Sequence, residues 1–348
     1  MKTQTHSLTE LGWGNHFLSQ LTVEELQNQL PLRVCEVHRN ALDTKGEAGS
    51  ARIPLTGELA DQGVAVGDWL LCEPQSMRAL RILERKTVLY RRGAGDDPTS
   101  QLIAANIDTL FIVSSCNTDF NPARLERYLA LALQAGVEPV LVLTKSDLCD
   151  NPDIYVERAK SLLHNVSLEL VNAKSPKAVG QLMPWCGKGQ TVALLGSSGV
   201  GKSTITNALT GTELLTQDIR QDDAKGKHTT TSRSMHQIKS GGWLIDTPGM
   251  RALRLMDVRD GVDALFEDVA DLATQCRFSN CAHESEPGCA VLSAIAKDQL
   301  DPRRLERWLK LAREDQRNSE TVAQSRKRSR NLEKTYQSGR QRGKAKRD

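Results

Sequence analysis

The chain lacks the two kinds of segment that place a protein in or across a membrane. None of its apolar runs approaches the roughly 20 residues that a membrane-spanning helix needs. Its amino terminus has neither the basic start nor the apolar core of a signal peptide. We therefore expect a cytoplasmic protein with no membrane partner, and we expect it to be a monomer.

Cysteine pairing of the secreted type is also missing, although the chain has eight cysteines. They are dispersed along 348 residues without an export signal, which argues against disulfides. Five of them lie in or beside apolar segments and are interpreted as reduced core thiols: Cys35, Cys72, Cys116, Cys149 and Cys186.

The other three cysteines are clustered with a histidine, in the order Cys276-x4-Cys281-x-His283-x5-Cys289. Four such ligands close a tetrahedral Zn²⁺ site. The segment between them is polar and rich in turns, so metal binding would supply the stability that a core cannot. We expect one structural zinc ion here; a chance cluster of cysteines is the alternative.

Charge is balanced over the whole chain, at +3, but it is unevenly distributed. Residues 302–348 contain 16 Lys or Arg and 6 Asp or Glu, a balance of +10, which leaves −7 for the preceding residues. The basic runs 326–330 and 339–347 resemble flexible arms that neutralise RNA phosphates in a salt-dependent manner. A solvated tail without a specific role is the alternative.

A phosphate-binding loop follows the apolar run 191–195 and precedes a helix-forming stretch. Its glycines let backbone N–H groups approach phosphates, while Lys202 neutralises the β- and γ-phosphates and Ser203 ligates Mg²⁺. A glycine-rich turn with a chance lysine is the alternative. The loop comprises Gly196, Ser197, Ser198, Gly199, Val200, Gly201, Lys202, Ser203 and Thr204.

A guanine-binding segment ends the apolar run 140–143 and consists of Thr144, Lys145, Ser146 and Asp147. An ionised Asp only accepts hydrogen bonds, which suits the N1–H and N2–H₂ donors of guanine and disfavours adenine. Thr144 stands where many GTPases have Asn, so the hydrogen bond of that amide must come from a hydroxyl or be lost. After the strand 167–171, the run Asn172, Ala173 and Lys174 resembles a second guanine-contacting loop.

A third nucleotide motif follows the run 243–245 and begins with Asp246 and ends with Gly249. We expect the Asp to support Mg²⁺ and the Gly N–H to sense the γ-phosphate. Met250 stands where many GTPases have a Gln that orients water, which predicts slow hydrolysis without a partner. His228 is the catalytic candidate, with a solvated loop histidine as the alternative; among the threonines 229–231 we assign Thr230 to Mg²⁺ and to catalysis.

The guanine motif precedes the phosphate loop, whereas ordinary GTPases carry the two in the opposite order. This order, the segment 226–231 and the segment 246–250 resemble the circularly permuted GTPases of small-ribosomal-subunit biogenesis, the RsgA family. The resemblance implies an amino-terminal OB-fold, a permuted GTPase domain and a carboxy-terminal zinc domain. It also implies GTP hydrolysis stimulated by the small subunit during its late maturation, with rRNA, GTP and GDP as partners and Mg²⁺ and Zn²⁺ as cofactors.

The fold class expected from these patterns is multidomain: a β-barrel (OB-fold), an α/β circularly permuted P-loop GTPase domain and a small α-helical zinc-binding domain. Short β-type runs at 33–37, 51–54, 69–73 and 80–83 indicate the barrel, although aromatics for base stacking are scarce there. A barrel that serves only as a scaffold is the alternative. The boundaries that we predict are a flexible extension 1–30, the OB-fold 31–95, the GTPase domain 101–255, the zinc-binding domain 256–325 and a basic disordered tail 326–348.

Two other functions stay open. The protein is an RNA-binding assembly factor in which the nucleotide only sets conformation, or it is another circularly permuted ribosome-biogenesis GTPase. An ATP-using P-loop protein is disfavoured by Asp147.

Overall fold

The computed structural model describes residues 5–92, 100–162, 166–173, 175, 180–211, 233–246 and 257–319. Contacts between Cα atoms divide the chain into two compact units. The first unit is Met1–Tyr90 with Leu102–Ala252, and the second is Arg91–Gln101 with Leu253–Asp348. Among the described residues, no helix has both the length and the apolar character needed to cross a membrane.

The amino-terminal segment packs within the first unit, so the prediction of a flexible extension over 1–30 is wrong for its described part. It contains a 3-10 turn, Thr9–Leu11, and the short helices α1 (Asn15–Leu18) and α2 (Val23–Asn28). Leu11 is fully buried, and the Trp243 indole donates to the Glu10 carbonyl over 2.7 Å. Partners of this segment such as Trp243 lie far along the chain, so its local sequence pattern does not predict these contacts.

Helix α2 begins with a capping box. The Thr22 hydroxyl accepts from the Glu25 N–H, and the Glu25 carboxylate accepts from the Thr22 N–H, which satisfies two donors that a helix start leaves open. Arg81 also binds Glu25, with 3.0 Å between its Nε and the carboxylate. The helix is therefore anchored although none of its residues is buried.

Five antiparallel strands and one helix follow. The strands are paired in the order β3-β2-β1-β4-β5. Four of them match the β-type runs predicted from the sequence. Strand β2 was not predicted because it is mostly polar: only two of its side chains, Leu42 and Thr44, are buried. The elements are β1 (Leu30–Val37), β2 (Ala41–Gly46), β3 (Gly49–Pro54), α3 (Gly57–Gln62), β4 (Trp69–Cys72) and β5 (Ala79–Ile82).

A parallel α/β layer forms the rest of the first unit, next to a separate two-stranded sheet of β6 (Val88–Arg92) and β7 (Ser100–Ala105). The parallel strands are almost entirely apolar because both faces of such a sheet are covered; all seven residues of β8 are buried. The elements are β8 (Thr109–Ser115), α4 (Pro122–Gln134), β9 (Glu138–Thr144), α5 (Asp153–Lys160), β10 (Ser167–Val171), β11 (Thr191–Leu195), α6 (Lys202–Thr210), β12 (Ser234–Gln237) and β13 (Trp243–Asp246).

The two groups of strands share one mixed sheet in the order β10-β9-β8-β11-β13-β12-β1-β2-β3. Strand β12 runs antiparallel to β13 and pairs on its other side with β1, at Glu36 and Ser234. Helix α4 begins with Asn121 as N-cap and Pro122 at the first helical position, where proline is favoured.

From residue 257 onward, the described part of the second unit consists of helices and of the loop that carries Cys276, Cys281, His283 and Cys289. It contains α7 (Arg259–Leu265), α8 (Glu267–Thr274), α9 (Ala290–Ala296) and a helix over 302–319, here α10. Phe266 is fully buried beneath the guanidinium of Arg304, which lies 4.8 Å from the ring centre. Trp308 donates its indole N–H to Asp263 over 2.9 Å, so α10 is fastened to α7 by packing and a hydrogen bond.

Candidate nucleotide-binding site and metal centre

The predicted nucleotide motifs follow neighbouring strands of the parallel layer. Thr144, at the end of β9, is the register partner of Ser115 on one side and of Val171 on the other. The phosphate loop begins after β11, which pairs with β8. Because parallel strands end at the same edge of the sheet, the loops after β9, β10 and β11 meet there, where α/β sheets bind ligands.

The phosphate loop leads from β11 directly into α6. A Cβ atom at Gly196 would lie 2.3 Å from the Val113 carbonyl oxygen, so only glycine allows this approach to β8. Gly201 has a φ of 100°, a left-handed conformation that also favours glycine. The loop is therefore shaped by its sequence before any ligand binds.

Lys202 folds its ammonium group over the loop. Its Nζ donates to the carbonyl oxygens of Gly196, over 2.7 Å, and Ser197, over 2.5 Å. Val200 is buried, whereas Ser203 is exposed at the start of α6. The positive charge and the free face of Ser203 lie on the same short loop, as binding of a phosphate with its Mg²⁺ requires.

Thr144 connects the guanine segment to the phosphate loop. Its hydroxyl is fully buried, 2.5 Å from the Val200 carbonyl oxygen and 3.1 Å from that of Ser114. A hydroxyl donates one hydrogen bond at a time, and the shorter distance favours Val200. The sequence left two possibilities for the hydrogen bond that an Asn amide makes at this position: a hydroxyl replaces it, or it is lost. In the structure a hydroxyl at this position does donate a hydrogen bond, to Val200.

The other residues predicted to contact guanine lie around the ends of β9 and β10. Lys145 has a φ of 59°, and the following 3-10 turn, Ser146–Leu148, leaves the Asp147 carboxylate exposed. Asn172 and Ala173 are half-buried just after β10. The predicted Lys174 lies outside the described residues.

Asp246 ends β13 and is the register partner of Ser234 on β12. It is half-buried. The other predicted residues of these two segments, His228, Thr229 to Thr231 and Thr247 to Met250, including Gly249, lie outside the described residues.

Tyr128, on α4, is a residue of this site that the sequence did not reveal. It is 3% exposed, and its hydroxyl lies within reach of the side chain of Ser197 in the phosphate loop. Burial raises the pKa of the phenol, so the hydroxyl stays neutral. Tyr128 belongs to no motif and reaches the loop only because α4 packs on β8 and β9.

The four predicted zinc ligands converge in the second unit, with their ligand atoms all within 4.8 Å of one another. Cys276 Sγ lies 3.8 Å from Cys289 Sγ and 3.6 Å from His283 Nδ1, and the last two atoms are 3.4 Å apart. Tetrahedral Zn²⁺ with ordinary Zn–S and Zn–N bonds requires S–S edges of about 3.8 Å and S–N edges of about 3.6 Å. The donor set therefore fits zinc.

Backbone hydrogen bonds hold the loop that carries these ligands. The Glu286 carboxylate accepts from the N–H groups of Ala282, Ser285 and Glu284, which lowers its pKa to about 2. The Cys289 sulfur caps α9 by accepting from the Leu292 N–H. These contacts shape the segment between Cys281 and Cys289, the second and the last of the four predicted ligands.

The comparisons with known proteins agree on one family. The family model described as RsgA GTPase matches residues 82–256, half of the chain. A model described as ABC transporter matches residues 185–329, a stretch that includes the phosphate loop common to P-loop nucleotide-binding proteins.

Curated relatives align over nearly the whole chain. The small ribosomal subunit biogenesis GTPase RsgA of Mesorhizobium japonicum is 49% identical over 90% of this chain and 91% of its own. The small ribosomal subunit biogenesis GTPase RsgA 2 of Vibrio vulnificus is 46% identical over 96% and 95%.

Solved structures have the same fold. The crystal structure of YjeQ from Thermotoga maritima superposes with a TM-score of 0.62 at 25% identity, covering 81% of this chain and 97% of that one. YloQ, described as a circularly permuted GTPase, superposes with a TM-score of 0.59 at 22% identity, covering 83% and 96%. The motif order, the parallel layer and these matches show a circularly permuted GTPase fold, and the chain belongs to the RsgA family of GTP hydrolases.

Proposed function

We propose that this GTPase acts as a late assembly and maturation factor of the small ribosomal subunit, which it binds through rRNA and which stimulates its GTP hydrolysis. The carrying observation is the 49% identity, over most of both chains, to a protein named for small ribosomal subunit biogenesis. A cytoplasmic, monomeric protein suits this role.

GTP binding is assigned to the loops at the edge of the parallel layer. Asp147 accepts the guanine donors, and Thr144, Lys145, Ser146 and the run 172–174 complete the base site. Lys202 and the loop 196–204 hold the phosphates. Mg²⁺ bound with GTP would neutralise phosphate charge, and Ser203 and Thr230 are its proposed ligands, supported by Asp246.

Slow hydrolysis by the isolated protein follows from Met250, since a thioether cannot orient water. The imidazole of His228 would take that role when the subunit binds, and the Gly249 N–H would sense the γ-phosphate. If His228→Ala keeps the full stimulation by the subunit, this assignment is wrong.

The remaining domains are proposed to bind the ribosome. Strands β1 to β5, with α3 between β3 and β4, support an OB-fold over 31–95. The GTPase domain then spans 101–255 and a structural zinc domain 256–325, with Cys276, Cys281, His283 and Cys289 as ligands. The basic tail 326–348 neutralises phosphates of rRNA, and its deletion should weaken subunit binding most at low salt.

Turnover of GTP and ATP with and without small subunits tests the proposal, using Lys202→Ala as the inactive control. We expect the isolated protein to hydrolyse GTP slowly and, with subunits, much faster. We expect it not to hydrolyse ATP in either case. Lys202→Ala should lower the stimulated rate by about 100-fold or more, because it removes charge stabilisation of the transferred phosphoryl group. The proposal is contradicted if subunits stimulate GTP and ATP hydrolysis equally, or if they stimulate neither.

A conformational switch is the second candidate, and Met250 favours it. In that case the GTP-bound and GDP-bound forms differ in subunit affinity, and blocking hydrolysis does not impair binding. Comparing subunit binding with a non-hydrolysable GTP analogue and with GDP separates the two roles.

A further inference from the structure

Phe278 is the exception among the phenylalanines. Phe17, Phe111, Phe120 and Phe266 are at most 8% exposed, whereas Phe278 is 43% exposed. Burying such a ring would stabilise a protein by about 1.5–3 kcal/mol. A chain with only five phenylalanines thus leaves one ring in solvent, on the loop between the first two zinc ligands.

The backbone holds this ring in place. The Phe278 carbonyl accepts from the Cys281 N–H over 3.2 Å, and the Arg277 N–H donates to the Gly288 carbonyl over 3.1 Å. A Cβ atom at Gly288 would lie 3.0 Å from the Arg277 Cβ, so the two sides of the loop touch. The ring is presented by a closed loop and not by a free end.

Arg277 covers one side of the ring. Its guanidinium carbon lies 5.5 Å from the ring centre, within the range of a cation–π contact. Ser279 and Asn280, which follow, are exposed as well. The loop therefore offers a planar apolar ring, a cation stacked on it, and two polar side chains that donate and accept hydrogen bonds.

An unpaired nucleobase matches these groups. Single-stranded RNA is recognised by stacking splayed bases on aromatic rings or Arg planes and by hydrogen bonds to their edges. An apolar groove of a protein partner would call for further exposed apolar side chains beside the ring. The neighbours along this loop are instead cationic and polar.

The charges around the loop are compatible with an adjacent phosphate backbone. Glu284 is paired with Arg313 over 3.4 Å, and the Glu286 carboxylate is occupied by backbone N–H groups. That ion pair also places α10 beside the loop. Three further exposed basic residues lie along the same side of α10 as Arg313, with Glu306 among them: Arg303, Lys310 and Arg317.

We propose that Phe278, with Arg277 stacked on it, is a binding site for one unpaired RNA base, flanked by the basic side of α10. The site rests on the proposed function, because it presumes that the small subunit is bound through rRNA, and it assigns one contact within that binding. The zinc loop then has a recognition role besides its structural one.

The test measures the affinity of the full-length, zinc-loaded protein for small ribosomal subunits. Phe278→Ala and Phe278→Leu should bind about 5- to 100-fold more weakly, the loss expected when one stacked base is released. Phe278→Trp should keep the affinity. Leu26→Ala, which truncates another exposed apolar residue, 48% exposed and in the first unit, serves as the matched control and should bind like wild type.

Equal zinc content and melting temperature of the variants show that the domain is intact. If Phe278→Leu binds like wild type while Phe278→Ala does not, the contact is apolar packing and the stacking site is wrong. If subunits bind and stimulate the wild type and Phe278→Ala to the same extent, the stacking site is wrong while the proposed function stands. If wild type neither binds nor is stimulated, the proposed function fails and the site with it.

The class of partner is read by cross-linking, which does not depend on the stability of the alanine variant. Benzoylphenylalanine placed at position 278 should, on irradiation of the subunit complex, give a product that ribonuclease shortens. A cross-link only to a ribosomal protein would overturn the proposal.

Discussion

The edge of the parallel layer and the Cys–His loop are two sites built in opposite ways. In the layer, seven buried residues of β8 and five of β11 fix the strand ends from which the nucleotide loops emerge. The Cys–His loop has few buried residues, among them His283 and Cys289, two of its four candidate ligands. Hydrophobic burial shapes the first site without its ligand, whereas we expect the fold of the second to depend on a bound metal ion.

Metal removal gives the largest expected difference between the two sites. Chelation should release one zinc per chain and raise amide hydrogen exchange across 276–289, since structural zinc supplies about 10–16 kcal/mol of apparent binding energy in small zinc domains. Exchange in β8 and β9 and the affinity for GDP should stay as they were. Hydrogen exchange with mass spectrometry measures both regions in one experiment.

Cys281→Ser should reproduce the effect of the chelator, and Cys149→Ser, a half-buried cysteine outside the cluster, should not. A loop equally protected with and without zinc would mean that backbone bonds such as those of Glu286 suffice, and the contrast between the sites would disappear.

Loss of the Thr144 hydroxyl should have the next largest effect, this time on the nucleotide site. Thr144→Val leaves the buried Val200 carbonyl without this donor. We expect this to destabilise the phosphate-binding conformation of the loop by about 1–3 kcal/mol, so GDP affinity should fall about 5- to 100-fold. Thr144→Ser keeps the hydroxyl and should retain affinity. Titration of a fluorescent GDP analogue provides the measurement; equal affinities of the Val and Ser variants would show that the hydroxyl does not hold the loop.

Tyr128→Phe should have the smallest effect. It removes one polar contact that holds Ser197 in the phosphate loop, worth about 0.5–1.5 kcal/mol, so GDP affinity should fall by at most about 2- to 10-fold. Tyr155→Phe on α5 is the matched control.

A double-mutant cycle sharpens this last test. If the hydroxyls of Tyr128 and Ser197 affect GDP binding only through their mutual contact, Ser197→Ala should lower GDP affinity as much as Tyr128→Phe. The double variant should then lose no more affinity than either single variant. Additive losses would separate Tyr128 from the phosphate loop.

Much of the parallel layer was predictable from the sequence. The strands Ser167–Val171 and Thr191–Leu195 have the predicted bounds. Both faces of these strands are buried, which leaves uninterrupted apolar runs between polar turns. The convergence of the three cysteines and the histidine was predictable for a different reason, since these residues are neighbours in the chain.

The segment before β1 was predicted wrongly because its partners are distant. Glu10 contacts Lys188 and Trp243, and the Arg33 guanidinium donates to the Leu11 carbonyl from within the core. Short helices with few apolar residues look like a free extension when only their own pattern is considered. The contacts of this segment are made with residues 22 to 233 positions away.

The sequence by itself determined the chemistry: a phosphate loop, a guanine motif ahead of it, and a set of three cysteines and one histidine. These are properties of residues close together in the chain. Only the tertiary structure decided that Thr144 reaches Val200, that Tyr128 reaches Ser197, and that Phe278 stays in solvent. Contacts between distant residues, and exposure itself, depend on how whole elements pack, which no local pattern specifies.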